Sequence, residues 1–407
     1  MRILLLCQLC TPEPAFKSVP FARELCRRGH EVRILTGFPN YPGGKLYSGY
    51  RLRWYQREVI DGVPILRVPL FPSHDASSLR RSLCYLSFAL SAAWPLWTGW
   101  KPDVIYVYNL VTLGTLAAIN QKLRGVPYVL DVQDLWPDSI LNARMGGSWM
   151  RPLLEFLCRV AYKGASKIIV LSPGFKTILI NRGVCSEKIE VIYNWCDEDN
   201  LQGAPVTSSA CPELKGGWFN IVFAGNLGQV QGLEAVVEAA ALVRASPHRI
   251  CFVFMGQGVM LEHLRELAKQ RAPENTLFLP ARSFQDASRI LRMADGLLIH
   301  LQDSPVFGAT IPSKTQTYLA LGRPILVGVR GDASELVRRA GAGLACEPGN
   351  PSGIAKAAIQ LAETSTDRLA EMGWRGAEFY RKEISIAAGV ARFERAFKCI
   401  VSKSVLE

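Results

Sequence analysis

The sequence offers no ready-made catalytic apparatus: no pair of carboxylates and no Ser, His and Asp set stands at a useful spacing. The one Asp-x-Asp, Asp197-Glu198-Asp199, adjoins an expected domain boundary and reads as a solvated turn. Mechanisms built on a carboxylate acid/base pair or an activated nucleophile therefore lack candidates. Nucleic-acid binding is disfavoured as well, because the chain has no basic helix, zinc-finger spacing or RNP-like aromatic strand. At 49% hydrophobic and 20% charged residues, it also lacks the bias of a disordered or fibrous protein.

Eleven cysteines form an odd, scattered set, and several, such as Cys26, Cys158 and Cys251, sit inside apolar segments. This is the usage of a reducing compartment. Cys7 and Cys10 form a CxxC, but no second pair or nearby His completes a tetrahedral metal set. The opening MRILLLCQLC runs into Thr11-Pro12-Glu13-Pro14, where a signal peptide would place small residues for cleavage, so it reads as a first strand.

What the chain does have is positive charge and length. Its net charge of +12 is concentrated in the first quarter, which suggests a phosphorylated substrate or an acidic membrane leaflet as partner, beside the plainer reading of a solvated basic surface. A length of 407 residues favours two domains. From Ser82 to Trp100 no residue is charged, and Arg80, Arg81 and Lys101 bracket the run. Its length reaches that of a membrane span, but Pro95 and several serines interrupt it. A buried helix and a helix lying in the membrane interface are the other two readings.

Short runs rich in β-branched residues alternate with segments of helical period, the pattern of parallel α/β architecture. Strands are expected at Arg2 to Leu6, Glu31 to Leu35, Val104 to Val107, Tyr128 to Val132 and Lys167 to Leu171. Phe16 to Gly29 reads as the helix of a first βαβ unit. After a Gly, Pro and Ser-rich linker at 200–217, strands recur at Asn220 to Ala224, Ile250 to Met255, Thr276 to Leu279, Gly296 to His300 and Pro324 to Val327. The expected domains are 1–199 and 218–385, with 386–407 a closing helical segment.

The most informative stretch runs from Ser304 to Val329. Gly308 opens a loop, Pro312 and Ser313 suit a first helical turn, and a helical pattern continues to Gly322. A helix N-terminus binds phosphate oxygens, and Lys314 adds a charge in its first turn. Gly225-Asn226-Leu227-Gly228 and Met255-Gly256-Gln257-Gly258 each follow an expected strand. Three such features at strand C-termini of one domain outline a diphosphate cradle, since ligands of open α/β sheets bind at that edge.

Taken in order, Arg28-Gly29-His30-Glu31-Val32, Asp134-Leu135-Trp136-Pro137, Val191 to Asp197, Phe223 to Gly228, and Pro312-Ser313-Lys314 with Tyr318-Leu319-Ala320 resemble family 4 glycosyltransferases. Gly37 to Pro42, Asp61-Gly62-Val63 and Arg67-Val68 are similar to bacterial O-antigen and colanic-acid enzymes of the L-fucosamine-transferase-like type.

The resemblance implies a GT-B fold, with two facing Rossmann-like domains and an interdomain cleft. It implies retaining transfer from a nucleotide-sugar, UDP-linked by the subgroup, to a lipid-linked saccharide in surface polysaccharide (O-antigen or capsule) synthesis. The expected location is cytoplasmic, peripheral at the inner face of the membrane. No bound cofactor or metal and no nucleic acid is expected.

Asp134 and Lys314 are the expected catalytic residues. Gly225, Asn226, Gly228, Gln231, Thr310, Ile311, Pro312, Ser313 and Lys314 are expected on the diphosphate, with Gly256, Gly258, Leu279 and Pro280 near the base. The sequence also departs from the family pattern. Ala309 and Thr317 stand where two glutamates are usual, Asn226 and Gln229 or Gln231 where an Arg and a Lys are usual, and Gln133 where a His precedes the Asp. The Gly-Gly loop after the first strand is missing, with Ala15-Phe16-Lys17 nearby. A sugar-nucleotide epimerase of the same fold, or a non-catalytic subunit, are the alternative readings.

Overall fold

The computed structural model describes residues 1–73, 78–138, 150–201 and 212–406. The chain forms two compact units, one of Met1–Leu171, Phe175–Ile192 and Gly389–Glu407, the other of Ser172–Gly174 and Tyr193–Ala388. Apart from the three residues Ser172–Gly174, the chain changes unit at 192/193 and 388/389, beside the 199/200 and 385/386 boundaries read from sequence; residues 202–211 of the expected linker lie outside the described residues.

In the first unit, β1 (Arg2–Leu6), β2 (Glu31–Gly37), β3 (Gln56–Ile60), β4 (Val63–Val68), β5 (Val104–Tyr108), β6 (Tyr128–Val132), β7 (Lys167–Val170) and β8 (Ile189–Val191) form one sheet. Its order is β3-β4-β2-β1-β5-β6-β7-β8, parallel except for β3 against β4. β1, β5 and β6 are almost wholly apolar and buried, as strands covered on both faces must be. The order reverses at β1, which opens a ligand-binding edge beyond the C-termini of β1 and β5.

Helix α1 covers Val19–Arg27 rather than Phe16 to Gly29, because Lys17 and Ser18 are held in the preceding loop. Lys17 Nζ lies 2.7 Å from Asp131 Oδ2, both side chains fully buried, and the Tyr106 hydroxyl donates to the same oxygen at 2.6 Å. Helix α2, Ser78–Thr98, buries Cys84, Phe88, Ala92 and Leu96. Its other face exposes Leu83, Leu86, Leu90, Trp94 and Trp97. Among the described residues no helix is long and apolar enough to cross a membrane, which rules against a span at 82–100. The C-terminal helix, Ile386–Leu406, adds Phe393 against Phe21 and Tyr106, and its Glu394 meets His30 at 3.2 Å.

In the second unit, β9 (Phe219–Asn226), β10 (Ile250–Gln257), β11 (Thr276–Leu279), β12 (Gly296–His300), β13 (Ile325–Gly328) and β14 (Gly343–Ala345) form a sheet of order β11-β10-β9-β12-β13-β14. Every pair is parallel. The order reverses between β9 and β12, placing the ligand edge at the Gly225 turn. Asp197-Glu198-Asp199 differs from the solvated turn read from sequence. Glu198 begins a short helix, Glu198–Leu201, and its carboxylate accepts from the Tyr380 hydroxyl and the Ile386 N–H, each at 2.7 Å.

Candidate active site

A cavity of about 640 Å³ opens at the C-terminal edge of the second sheet. β9 and β10 run in register to their ends, pairing Gly225 with Gly256 and Asn226 with Gln257. Gly225 has φ +130°, a conformation that L side chains rarely adopt, and a Cβ there would also press on Lys314 Cε at 3.0 Å. At Gly256 a Cβ would lie 1.9 Å from the Gly225 carbonyl oxygen. The two glycines therefore bring bare backbone to the cavity.

The third wall is the helix Ser313–Leu321, which begins after Pro312 and stops at Gly322 in the left-handed conformation. The Tyr318 hydroxyl, itself buried, accepts from the Ala224 N–H at 3.0 Å and ties this helix to the end of β9. Ser313, Lys314, Thr317 and Tyr318 all line the cavity. The Lys314 ammonium lies 4.7 Å from the Phe223 ring centroid, and it has no carboxylate partner among the described residues. Burial pushes its pKa below the usual lysine value. A cation held in a partly desolvated site without a counter-ion favours an anionic ligand.

The remaining expected residues fall around this cavity in different ways. Gly225, Asn226 and Gly256 line it. Gly228 and Gln231 belong to the turn behind it, where the Gln231 side chain accepts from the Gly228 N–H at 3.0 Å. His300 Nδ1 lies 2.7 Å from the Gln231 carbonyl, and its Nε2 lies 3.1 Å from the Gly349 nitrogen. This pattern fits a neutral ring that donates from Nδ1 and accepts at Nε2, and burial lowers the His300 pKa. Thr310, Ile311 and Pro312 lead into the helix, Ala309 is buried before them, and Thr317 donates to the Ser313 carbonyl at 3.3 Å. Gly258, Leu279 and Pro280 are not among the lining residues; the loop after Pro280 brings Ala281 and Arg282 to the cavity instead, and the helix Phe284–Met293 brings Phe284.

Arg282 and Phe284 were not anticipated from sequence, although Phe284 opens the helix Phe284–Met293 behind its Ser283 cap. They supply a second cation and an exposed ring. No Asp or Glu among the described residues lines the cavity. Among the described residues no three His, Cys, Asp or Glu side chains gather as a metal site.

Asp134 belongs to the first unit, at the end of β6. It is exposed and accepts from Asn109 Nδ2 at 2.7 Å. Asn109 has φ +63°, a left-handed conformation rare outside glycine, and its Oδ1 also accepts from the Gln133 N–H. Gln133, in the place of the usual His, donates its side-chain amide to the buried Asp131. Asp134 is thus presented by a strained neighbour, a pattern common at functional edges.

Residues 19–195 match the glycosyl transferase 4-like domain, and residues 219–364 match the glycosyl transferases group 1 domain. The chain is 30% identical over 309 residues to Escherichia coli WcaI, named as a colanic acid biosynthesis glycosyl transferase, covering 73% of this chain and 75% of that one. It is 24% identical over 252 residues to Pseudomonas aeruginosa WbjE, named as a glycosyltransferase, covering 60% of this chain and 62% of that one. The crystal structure of Anabaena HepE in complex with UDP and glucose has a TM-score of 0.65 at 18% identity, over 98% of this chain and 100% of that one.

Proposed function

We infer the reaction from the family to which the chain belongs, the group 1 glycosyltransferases with a 4-like first domain and a GT-B fold. It is a glycosyltransferase. In our reading the second unit takes a UDP-linked sugar, and transfer proceeds with retention onto a lipid-linked saccharide during synthesis of a surface polysaccharide. The observation that carries the donor reading is the Lys314 ammonium, which has no carboxylate partner among the described residues, beside two bare-backbone turns in a cavity that no described carboxylate lines. UDP in the HepE crystals and the colanic-acid name of WcaI support the choice of donor and pathway class.

The chemistry asked of the chain is electrostatic. As the sugar to phosphate bond stretches, charge grows on the departing diphosphate, and Lys314 with the N-terminal amides of the Ser313–Leu321 helix stabilises it. The leaving phosphate oxygen takes the proton of the attacking hydroxyl on the same face, which dispenses with a protein base. Asp134 binds sugar hydroxyls or the positive charge that develops at the anomeric carbon. Neither a metal nor a resident cofactor takes part in this scheme. The basic first unit and the exposed face of α2 hold the enzyme at the inner surface of the cytoplasmic membrane.

The test is turnover of UDP-sugars on a lipid-linked acceptor, with the anomeric configuration of donor and product compared by NMR. An inverted product rejects the front-face scheme, and release of an epimerised nucleotide sugar in place of transfer rejects the reading as a whole.

A further inference from the structure

Helix α2 covers one face of the first sheet but leaves that face open on the β3–β4 hairpin. Alternate strand residues share a face. A Cβ at Gly37, two positions beyond Leu35, would meet Phe88 of α2 at 3.5 Å, so Arg33 and Leu35 belong to the helix side. The register carries this face outward: Leu4 pairs with Arg33, Leu35 with Leu66, Leu66 with Arg57 and Pro64 with Val59. Leu4 and Leu35 are buried, whereas Arg57 and Pro64 are exposed and Val59 is 68% exposed. A cavity of about 640 Å³ lies here, walled on its other side by Trp94, Pro95, Thr98 and Trp100 at the end of α2.

The floor of this groove is apolar, and the charges beside it have one sign. Arg33 and Arg57 stand on opposite sides of the floor, two strands and two residues apart, which strand geometry makes about 12 Å between Cα atoms. The Arg33 guanidinium lies 4.4 Å from the Trp100 ring centroid and pairs with the exposed Glu31 at 3.0 Å, a contact that water and salt weaken. Arg57 lies 5.7 Å from the Tyr55 ring centroid and has no carboxylate partner among the described residues. Glu58 also lines the cavity, but it alternates with Arg57 and Val59, and its carboxylate is held on the opposite face by the fully buried Arg67. Just upstream, Trp54 is 86% exposed between Arg53 and Tyr55. Trp94, 61% exposed, joins the groove to the outward stripe of α2. Tryptophan and tyrosine with basic neighbours suit the boundary between lipid and water.

These features select among occupants. A small phosphate would satisfy the arginines and leave the apolar floor in water. A neutral saccharide would leave both guanidiniums without an anion. A second copy joined about a two-fold axis would set this surface against itself, bringing arginines to arginines. An acidic amphiphile has both the anion and the hydrocarbon, and a cavity of this size accommodates a small one.

We propose that the groove binds a single acidic phospholipid of the bilayer, with its phosphate on Arg57, Arg33 adding positive potential from across the floor, and the upper part of an acyl chain over Leu35, Leu66, Pro64 and Val59. The site goes beyond the attachment proposed above, which asks only for positive charge and apolar area, because here one lipid molecule is recognised.

Dioctanoyl phosphatidylglycerol, kept below its micelle concentration and titrated by calorimetry into the protein saturated with UDP, tests the site. One molecule is expected to bind per chain, at least about tenfold tighter than glycerol 3-phosphate or dioctanoyl phosphatidylcholine, since the first lacks the chain and the second the net charge. Arg57→Gln and Val59→Asp should each weaken it at least about tenfold, with an unchanged melting transition to show that these exposed substitutions leave the fold intact. Lys122→Gln removes an equal charge from the exposed side of the helix Val111–Arg124 and should leave the affinity as it was. Equal losses in Lys122→Gln and Arg57→Gln would reduce the effect to diffuse charge and overturn the proposal. So would glycerol 3-phosphate binding as tightly as the lipid, or lipid binding that UDP displaces. A dimer that Val59→Asp dissociates, with lipid affinity intact, would assign the groove to a second copy and overturn it as well. Vesicle recruitment abolished by high salt while the free lipid still binds would uphold the groove and leave the general attachment to charge alone.

Discussion

Replacing Lys314 by Ala removes an ammonium that, among the described residues, lines the cavity without a carboxylate partner. Tyr318 holds the helix to β9 through Ala224, so the backbone walls should persist. A hydrogen bond to a charged group contributes about 1.5 to 3 kcal/mol, and each 1.4 kcal/mol is a factor of about ten. UDP should therefore bind about 10- to 150-fold more weakly to Lys314→Ala, with Arg282 left as the cation of the cavity. Uridine, which has no diphosphate, should lose less than about threefold. Titration calorimetry of both ligands on both proteins gives the comparison, and Lys314→Met separates loss of charge from loss of bulk. Equal losses for UDP and uridine, or no loss for either, would remove Lys314 from the phosphate site. The depressed Lys314 pKa adds a pH signature: UDP affinity should fall as pH rises through a value below that of free lysine, with proton uptake on binding around it.

Thr317→Glu adds a carboxylate to a cavity lined by none among the described residues, and it should keep UDP affinity at least unchanged while increasing discrimination against the 2′-deoxyribose analogue; abolished binding in a folded variant would mean that position 317 does not face the ribose. Phosphatidylglycerol vesicles should recruit the protein at low salt and release part of it at high salt in a sedimentation assay, and indifference to vesicle charge would refute the electrostatic attachment. His300 should make the second unit acid-sensitive. Its folded pKa lies below the unfolded value, so the unfolded chain binds more protons between the two and stability falls as pH drops from about 6.5 toward the folded pKa; His300→Gln should flatten that part of a melting-temperature profile against pH.

Strands buried on both faces were legible because nothing but an apolar run can occupy such positions. β1 and β6 fall at Arg2–Leu6 and Tyr128–Val132, as read from sequence. β3 and β4 were not anticipated: β3, Gln-Arg-Glu-Val-Ile, is a charged edge strand whose partial exposure hides its pattern. The signal was Asp61-Gly62, both in the left-handed region and joining the two strands as a tight hairpin. The two faces of α2 escaped an apolar count, since both are hydrophobic and the fold decides which is covered. In the site, Lys314 was visible because helix starts have a local grammar. Arg282, from a loop, and Phe284, at the start of the helix that follows it, are linked to Lys314 only by tertiary structure. Glu198 was read from its neighbours in sequence, whereas its partners Tyr380 and Ile386 lie 182 and 188 residues away.

The buried contact between Lys17 and Asp131 also limits how this chain can vary. Losing one member strands the other's charge inside the protein, at a cost of about 3 to 5 kcal/mol, whereas exchanging both for well-packed apolar groups is often neutral. One-step routes away from the present pair therefore pass through a poorly folding intermediate. Lys17 and Asp131 should be inherited as a unit, and a descendant that loses one should either recover it or replace both.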